Sequence, residues 1–174
     1  MEGFLDPNKV LSQLDLSPNM IAADFGSGSG GWAIPLAKKL SSGKVFAIDI
    51  LKEPLSALTS RAKMEKVWNI QTVCANVEDA RALKLGEGVL DLVLMTNLLF
   101  QLENVKAVFS QAAKVLKKGG KVLVVDWQVD SSVGPEKGRL SPQTAKNVAQ
   151  ECGFALEKEF PAGPHHYGLV FARS

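Results

Sequence analysis

Asp24-Phe25-Gly26-Ser27-Gly28-Ser29-Gly30-Gly31 follows an apolar run, Met20-Ile21-Ala22-Ala23, and precedes a helical pattern that starts at Trp32. Strand, glycine loop and helix in that order bring bare backbone and a helix N-terminus up to a bound small molecule. Two spacings coexist in the loop. Gly26, Gly28 and Gly31 satisfy GxGxxG, the dinucleotide pattern. Gly26, Gly28 and Gly30 satisfy GxGxG with an acid two residues upstream. A tight strand-to-helix connection with no ligand is the plain alternative to both.

Outward from the loop, apolar strands alternate with helical patterns. Lys44 to Ile50 reads as a second strand, and the helix before it runs from about Gly31 to Leu40 with Pro35 in or near its first turn. A helix opened by Pro54 reaches about Val67, a third strand covers Ile70 to Ala75 and a fourth Val89 to Met95. Val105, Val108, Phe109, Ala112 and Leu116 share one helical face, with Gly119-Gly120 predicted to end that helix. The cluster Lys114, Lys117, Lys118 and Lys121 is expected at its C-terminal end, where cations complement the dipole. Val122 to Val125 is a fifth strand that ends at Asp126-Trp127.

Ser141-Pro142 starts a last helix, which runs to about Cys152. Phe154 to Phe160 and His166 to Arg173 are strands joined by Pro161-Ala162-Gly163-Pro164, a connection short enough only for an antiparallel hairpin. At the other end, Asp6-Pro7 with Val10, Leu11 and Leu14 predicts a short capped helix. The expectation is one α/β domain over 1–174, with 1–18 an N-terminal helix and turn and the segment around Phe4 and Leu5 a possible lid.

Composition bounds the function. Hydrophobic residues make up 46% and charged residues 22% of the chain, and the formal net charge is +2, so no strong field calls for nucleic acid or an anionic membrane. No apolar run approaches a membrane span and the N-terminus lacks a signal-peptide pattern, so a cytoplasmic protein without stable membrane insertion is expected. Cys74 and Cys152 are isolated and suit no metal or disulfide.

Asp49 ends the second strand about twenty residues past the glycines, where a carboxylate can accept both hydroxyls of a ribose. Asp24 separates the possible cofactors. A carboxylate just before the loop repels a pyrophosphate, but it attracts the ammonium of S-adenosylmethionine. The chain length also leaves no room for the separate substrate domain of a typical nicotinamide-dependent reductase.

Asp24-x-Gly26-x-Gly28-x-Gly30, Asp49, Asn76-Val77, Asp91-Leu-Val-Leu-Met and Leu116-Lys-Lys-Gly-Gly-Lys-Val-Leu in this order resemble the successive motifs of class I S-adenosylmethionine-dependent methyltransferases. More narrowly, the chain is similar to the small type 11 and quinone-biosynthesis methyltransferases. The resemblance implies a Rossmann-like three-layer sandwich, with a mostly parallel seven-stranded sheet in the order 3-2-1-4-5-7-6 and strand 7 antiparallel. It also implies that Gly26, Ser27, Gly28 and Gly30 wrap the methionine end with Asp24 near the amino group. Asp49 would hold the ribose, Ile50 would pack on the adenine, and Asn76 with Val77 would read its edge. The family more often has an acid where Asn76 stands.

Ligands of an open α/β sheet bind outside the carboxyl ends of its parallel strands. That rule selects Thr96, Asn97 and Phe100 after the fourth strand, Asp126 and Trp127 after the fifth, and His165, His166 and Tyr167 by way of the hairpin. Asn97 is expected beside the cofactor. Phe100, Trp127 and Tyr167 are expected around the acceptor, although half-buried core aromatics are as common. His165, His166 and Asp126 are the candidate bases. Their alternatives are a surface histidine pair and a strand-end acid that caps a loop. Adjacent histidines on a strand point to opposite faces, so at most one faces the site.

The function expected is methyl transfer by direct displacement to a small-molecule acceptor. RNA or protein methylation, a non-catalytic S-adenosylmethionine or nucleotide-binding module, and a reductase are the alternatives. The acceptor atom, the need for a base and the oligomeric state stay open at this level.

Overall fold

A computed structural model describes residues 5–174; Phe4, half of the expected lid, lies outside them. The alternating pattern folds as α1 (Pro7–Leu11), β1 (Ile21–Phe25), α2 (Ala33–Lys39), β2 (Lys44–Asp49), α3 (Lys52–Met64), β3 (Ile70–Cys74) and β4 (Leu90–Thr96). A single 3-10 turn, Leu99–Gln101, then leads into α4 (Val105–Val115), β5 (Leu116–Trp127), α5 (Pro142–Glu151), β6 (Phe154–Pro161) and β7 (His166–Arg173). The seven strands form one sheet in the order β3-β2-β1-β4-β5-β7-β6. β1 to β5 are parallel neighbours, and β7 runs antiparallel to both β5 and β6. The expected Rossmann-like order and its reversed last strand are therefore present.

Both faces of the sheet are covered because its central strands carry buried apolar residues on both sides, Ala22, Ala23 and Phe25 in β1 and Leu92 to Met95 in β4. Alternate residues of β4, Leu92 and Leu94, join α1, α2 and α3 in one core. Val93 and Met95 join Val108, Phe109 and Ala112 of α4 and Ala145 and Ala149 of α5 in the other. Helix starts follow local chemistry. Asp6 accepts from the Asn8 N–H ahead of Pro7, Asn104 from the Ala107 N–H, and Ser141 from the Thr144 N–H. α1 buries Val10 and Leu11, with Leu5 and Leu14 packed against the same core, so this part of the expected lid belongs to the domain wall.

One expectation fails. The lysine cluster does not cap a helix, because α4 ends at Val115 and Leu116 already pairs with Leu90 in the sheet. Pairing slips there and resumes at Lys121 with Leu92, and Gly119, at φ +76, lies in this irregular stretch. Val115 and Leu116 are both buried, which extended chain entering the sheet satisfies better than another helical turn. Only Lys114 stays in the helix. Lys117 pairs with Asp91 at 3.0 Å and Lys121 with Glu157.

Candidate functional site

The glycine loop turns from β1 into α2, and its backbone resolves the two spacings. Gly26, Gly28 and Gly30 have φ of +75°, +51° and +94°, a region that disfavours side chains, whereas Gly31 does not. A Cβ on Gly26 would lie 2.8 Å from Leu98 Cδ1 and one on Gly30 2.9 Å from Leu58 Cγ, while one on Gly31 would meet nothing within 4 Å. The backbone thus singles out the GxGxG spacing, Gly26, Gly28 and Gly30, and leaves Gly31 without a conformational requirement.

The loop amides point inward. Gly26 and Ser27 N–H donate to the Ile48 carbonyl at 2.8 and 2.9 Å, and Gly30 N–H donates to the Ser27 carbonyl at 3.1 Å. Gly28 N–H donates to Asp49 Oδ2 at 2.9 Å. A loop that binds pyrophosphate needs these donors free; here four of them are engaged within the protein.

Beneath the loop sits Asp24, 1% exposed, with neither carboxylate oxygen hydrogen-bonded; the Ser27 hydroxyl is likewise buried and without a partner. Burial, and secondarily the Asp49 carboxylate, pushes Asp24 up to about 7. Buried polar groups are otherwise nearly always bonded. An orphan acceptor beside an orphan hydroxyl fits an ammonium and a carboxylate on one carbon, the methionine end of S-adenosylmethionine.

From the loop a cleft of about 540 Å³ runs past Asp49 and Ile50 to Asn76 and Val77, with Leu98 opposite. Asp49 reaches it from the end of β2, held by the amides of Gly28 and Leu51. Ile50 is 61% exposed on its wall. Asn76 Oδ1 accepts from the Glu78 N–H at 2.9 Å, an Asx turn that shapes the cleft end. Sequence reasoning missed Glu78 and Leu98. Glu78 accepts from the Asn104 N–H at 2.7 Å and so ties the cleft to the start of α4. A pairing across 26 positions leaves no local signal.

The strand ends hold the other expected residues. Register sets Trp127 opposite His166 and Asp126 opposite Tyr167 across β5 and β7, so alternation sends the two pairs to opposite faces. The Trp127 and His166 ring centroids lie 4.2 Å apart with the planes tilted by 39°, and His166 Nε2 lies 2.8 Å from Asn97 Oδ1. Asn97 takes the left-handed φ of +49° where the chain leaves β4. Burial, with His165 next to it, pulls the His166 imidazole down to about 4. His165 is half-buried, with Nδ1 at 3.0 Å from the Ser131 hydroxyl. Phe100 is half-buried, with Gly138 against its carbonyl.

Asp126 and Tyr167 are not arranged for the roles expected of them. Asp126 Oδ2 accepts from the Leu98 and Leu99 N–H groups at 3.1 and 2.8 Å, and Oδ1 accepts from its own neighbour Trp127 at 2.8 Å. It caps the 3-10 turn, although burial still pushes its carboxyl up to about 6. Tyr167 is 2% exposed and donates its hydroxyl to the Leu140 carbonyl at 2.8 Å, anchoring the approach to α5. Strand parity, invisible while the register was unknown, separates both from His166. Among the described residues no cluster could hold a metal ion, and no helix is long and apolar enough to cross a membrane.

A family model described as methyltransferase domain matches residues 22–120, more than half of the chain. No curated protein matches. Among solved structures, a SAM-dependent methyltransferase from Aquifex aeolicus superposes with a TM-score of 0.89 at 21% identity, covering 98% of this chain and 90% of that one. The candidate type 11 methyltransferase from Sulfolobus solfataricus does so with 0.75 at 22%, covering 98% and 93%. The [4+2]-cyclase SpnF reaches 0.83 at 12%, covering 96% and 79%, so likeness at this level carries the fold alone. The family match and the motif order carry the rest: the chain belongs to the methyltransferase domain family and is a class I S-adenosylmethionine-dependent methyltransferase.

Proposed function

We propose that the protein methylates a small, uncharged molecule bound outside the carboxyl ends of β4 and β5, beside the start of β7. The observation that carries this is the neutrality of the groups gathered there. Asn97, Phe100 and Trp127 are uncharged, and burial keeps His166 neutral down to about pH 4. The Asp126 carboxylate, at the end of β5, is occupied by three backbone amides. An ionic acceptor would have no counter-charge from these groups.

When bound, S-adenosylmethionine supplies an electrophilic methyl group on a sulfonium. Asp24 is suited to accept from its ammonium and Ser27 to donate to its carboxylate. Asp49 is suited to the ribose hydroxyls, while Ile50 and Val77 offer apolar faces to the base. Asn76 retains its NH₂ donors and one lone pair for the adenine edge.

Displacement at a methyl group depends chiefly on alignment and exclusion of water, and the packed Trp127 and His166 rings can provide a wall for both. With Asn97 Oδ1 as acceptor, His166 carries its proton on Nε2, and this bond fixes the orientation of the ring. A neutral imidazole of such low basicity is poorly suited to remove a proton and serves as part of the wall.

Two measurements test the reading. Titration calorimetry should show S-adenosylhomocysteine binding and no comparable binding of NADH; the reverse would overturn the cofactor assignment. Incubation of metabolite, RNA and protein extracts with methyl-labelled S-adenosylmethionine should place label in a small molecule. Label confined to RNA or protein would overturn the acceptor class.

A further inference from the structure

The connection from β5 to α5, residues 128–141, has no regular secondary structure, yet a single side chain ties it together. Arg139 Nη1 donates to the carbonyls of Ser131, Gln128 and Val129 at 2.6, 3.2 and 3.4 Å. Its Nη2 donates to Val133 O at 2.9 Å and its Nε to Pro135 O at 2.5 Å. Five carbonyls thus converge on one planar guanidinium, a geometry that lysine cannot reproduce. The loop so gathered lies on the aromatic side chain at the end of β5. A Cβ on Gly134, at φ +99°, would come within 2.5 Å of the Trp127 ring, and one on Gly138, at φ +81°, within 2.0 Å of the Phe100 carbonyl. Ser131 also joins the loop to His165 across the sheet end.

We propose that Arg139 is a positioning residue for the acceptor: by binding these carbonyls it holds the 128–141 loop against Trp127 and Phe100, so that the acceptor wall is built before the acceptor arrives. Long irregular loops at such a place are ordinarily mobile lids; this one is pre-organised from within. Arg139 itself touches no part of the cofactor cleft. Its loss therefore raises the acceptor KM more than it lowers kcat, and it leaves cofactor affinity in place. The proposal rests on the acceptor reading above, but its physical core, the seating of the loop on Trp127, is measurable without an acceptor.

The test uses the full chain labelled with 5-fluorotryptophan, whose three fluorine resonances, from Trp32, Trp68 and Trp127, are assigned through Trp127→Phe and Trp68→Phe. In Arg139→Ala the Trp127 resonance should shift or broaden, those of Trp32 and Trp68 should stay, and S-adenosylhomocysteine affinity should change by less than about twofold, as for a distant site. Millimolar methylguanidinium should restore the Trp127 line and methylammonium should not. Gly134→Ala, which disturbs the same contact from the loop side, should move that line with Arg139 intact. An unchanged Trp127 line in Arg139→Ala, or equal rescue by both cations, overturns the proposal. So does disturbance of all three resonances, which would make Arg139 a residue of general stability. Failure of the labelled-extract assay with the Trp127 result intact would instead overturn the acceptor reading alone.

Discussion

The backbone N–H of Gly28 donates to Asp49 Oδ2 at 2.9 Å, while Asp49 Oδ1 accepts from Leu51 N–H at 3.0 Å. The carboxylate assigned to the ribose is thus also the brace that holds the glycine loop against the end of β2. Truncating it removes a ligand contact and loosens the cradle together. Asp49→Ala should weaken S-adenosylhomocysteine binding by more than about tenfold, as loss of a charge-assisted bond at a ligand site implies. Calorimetry measures it, and unchanged affinity would withdraw Asp49 from the ribose.

The glycines are not equivalent. Gly26→Ala places a methyl 2.8 Å from Leu98 at a φ of +75° and should cost roughly 1–2 kcal/mol from the left-handed backbone alone, plus the displacement of Leu98. Gly31→Ala meets open space and should change stability by less than about 0.5 kcal/mol. Chemical denaturation of the two variants compares them directly. Equal destabilisation would restore the longer spacing.

Asp24 makes cofactor binding depend on pH. Its carboxyl, raised from 3.8 to about 7, keeps its proton in the folded protein across a window in which the unfolded chain has lost it. Stability of the cofactor-free protein therefore falls as pH rises through that window. An ammonium favours the ionised form, so binding releases a proton below about pH 7 and affinity climbs with pH until it levels there. Calorimetry in buffers of different ionisation enthalpy counts that proton. Asp24→Asn should abolish the proton release, lower affinity and raise the Tm of the cofactor-free protein more at pH 8 than at pH 5. Proton release that persists in Asp24→Asn would assign it elsewhere.

Asp126 separates capping from catalysis. Asp126→Ala strands the buried N–H groups of Leu98 and Leu99 and should cost about 2–4 kcal/mol, at roughly 1–2 kcal/mol for each unsatisfied donor. A general base would behave oppositely, with turnover abolished at unaltered stability. Thermal unfolding and labelled methyl transfer on the same preparation distinguish the two.

Much of this protein could be read from local pattern. Apolar runs such as Val45 to Ile48 and Val122 to Val125 mark strands buried on both faces, and Asp24 with Gly26, Gly28 and Gly30 marks the loop between strand and helix, because each is a matter of spacing along the chain. The boundary after Val115 escaped that reading, since a valine-leucine pair before lysines suits a helix end and a strand start equally; only pairing with Leu90 distinguishes them.

The site divides in the same way. The sequence by itself determined the strand order's raw material, the cofactor class and the residues at the carboxyl ends of the strands, all of which follow from periodicity and short-range chemistry. Tertiary structure decided which of those residues meet. The register of β5 against β7 sets His166 on Trp127 and turns Asp126 and Tyr167 to the other face, and folding gathers five carbonyls around Arg139. Side-chain parity reverses with a one-residue shift in pairing, so no local pattern could have specified it.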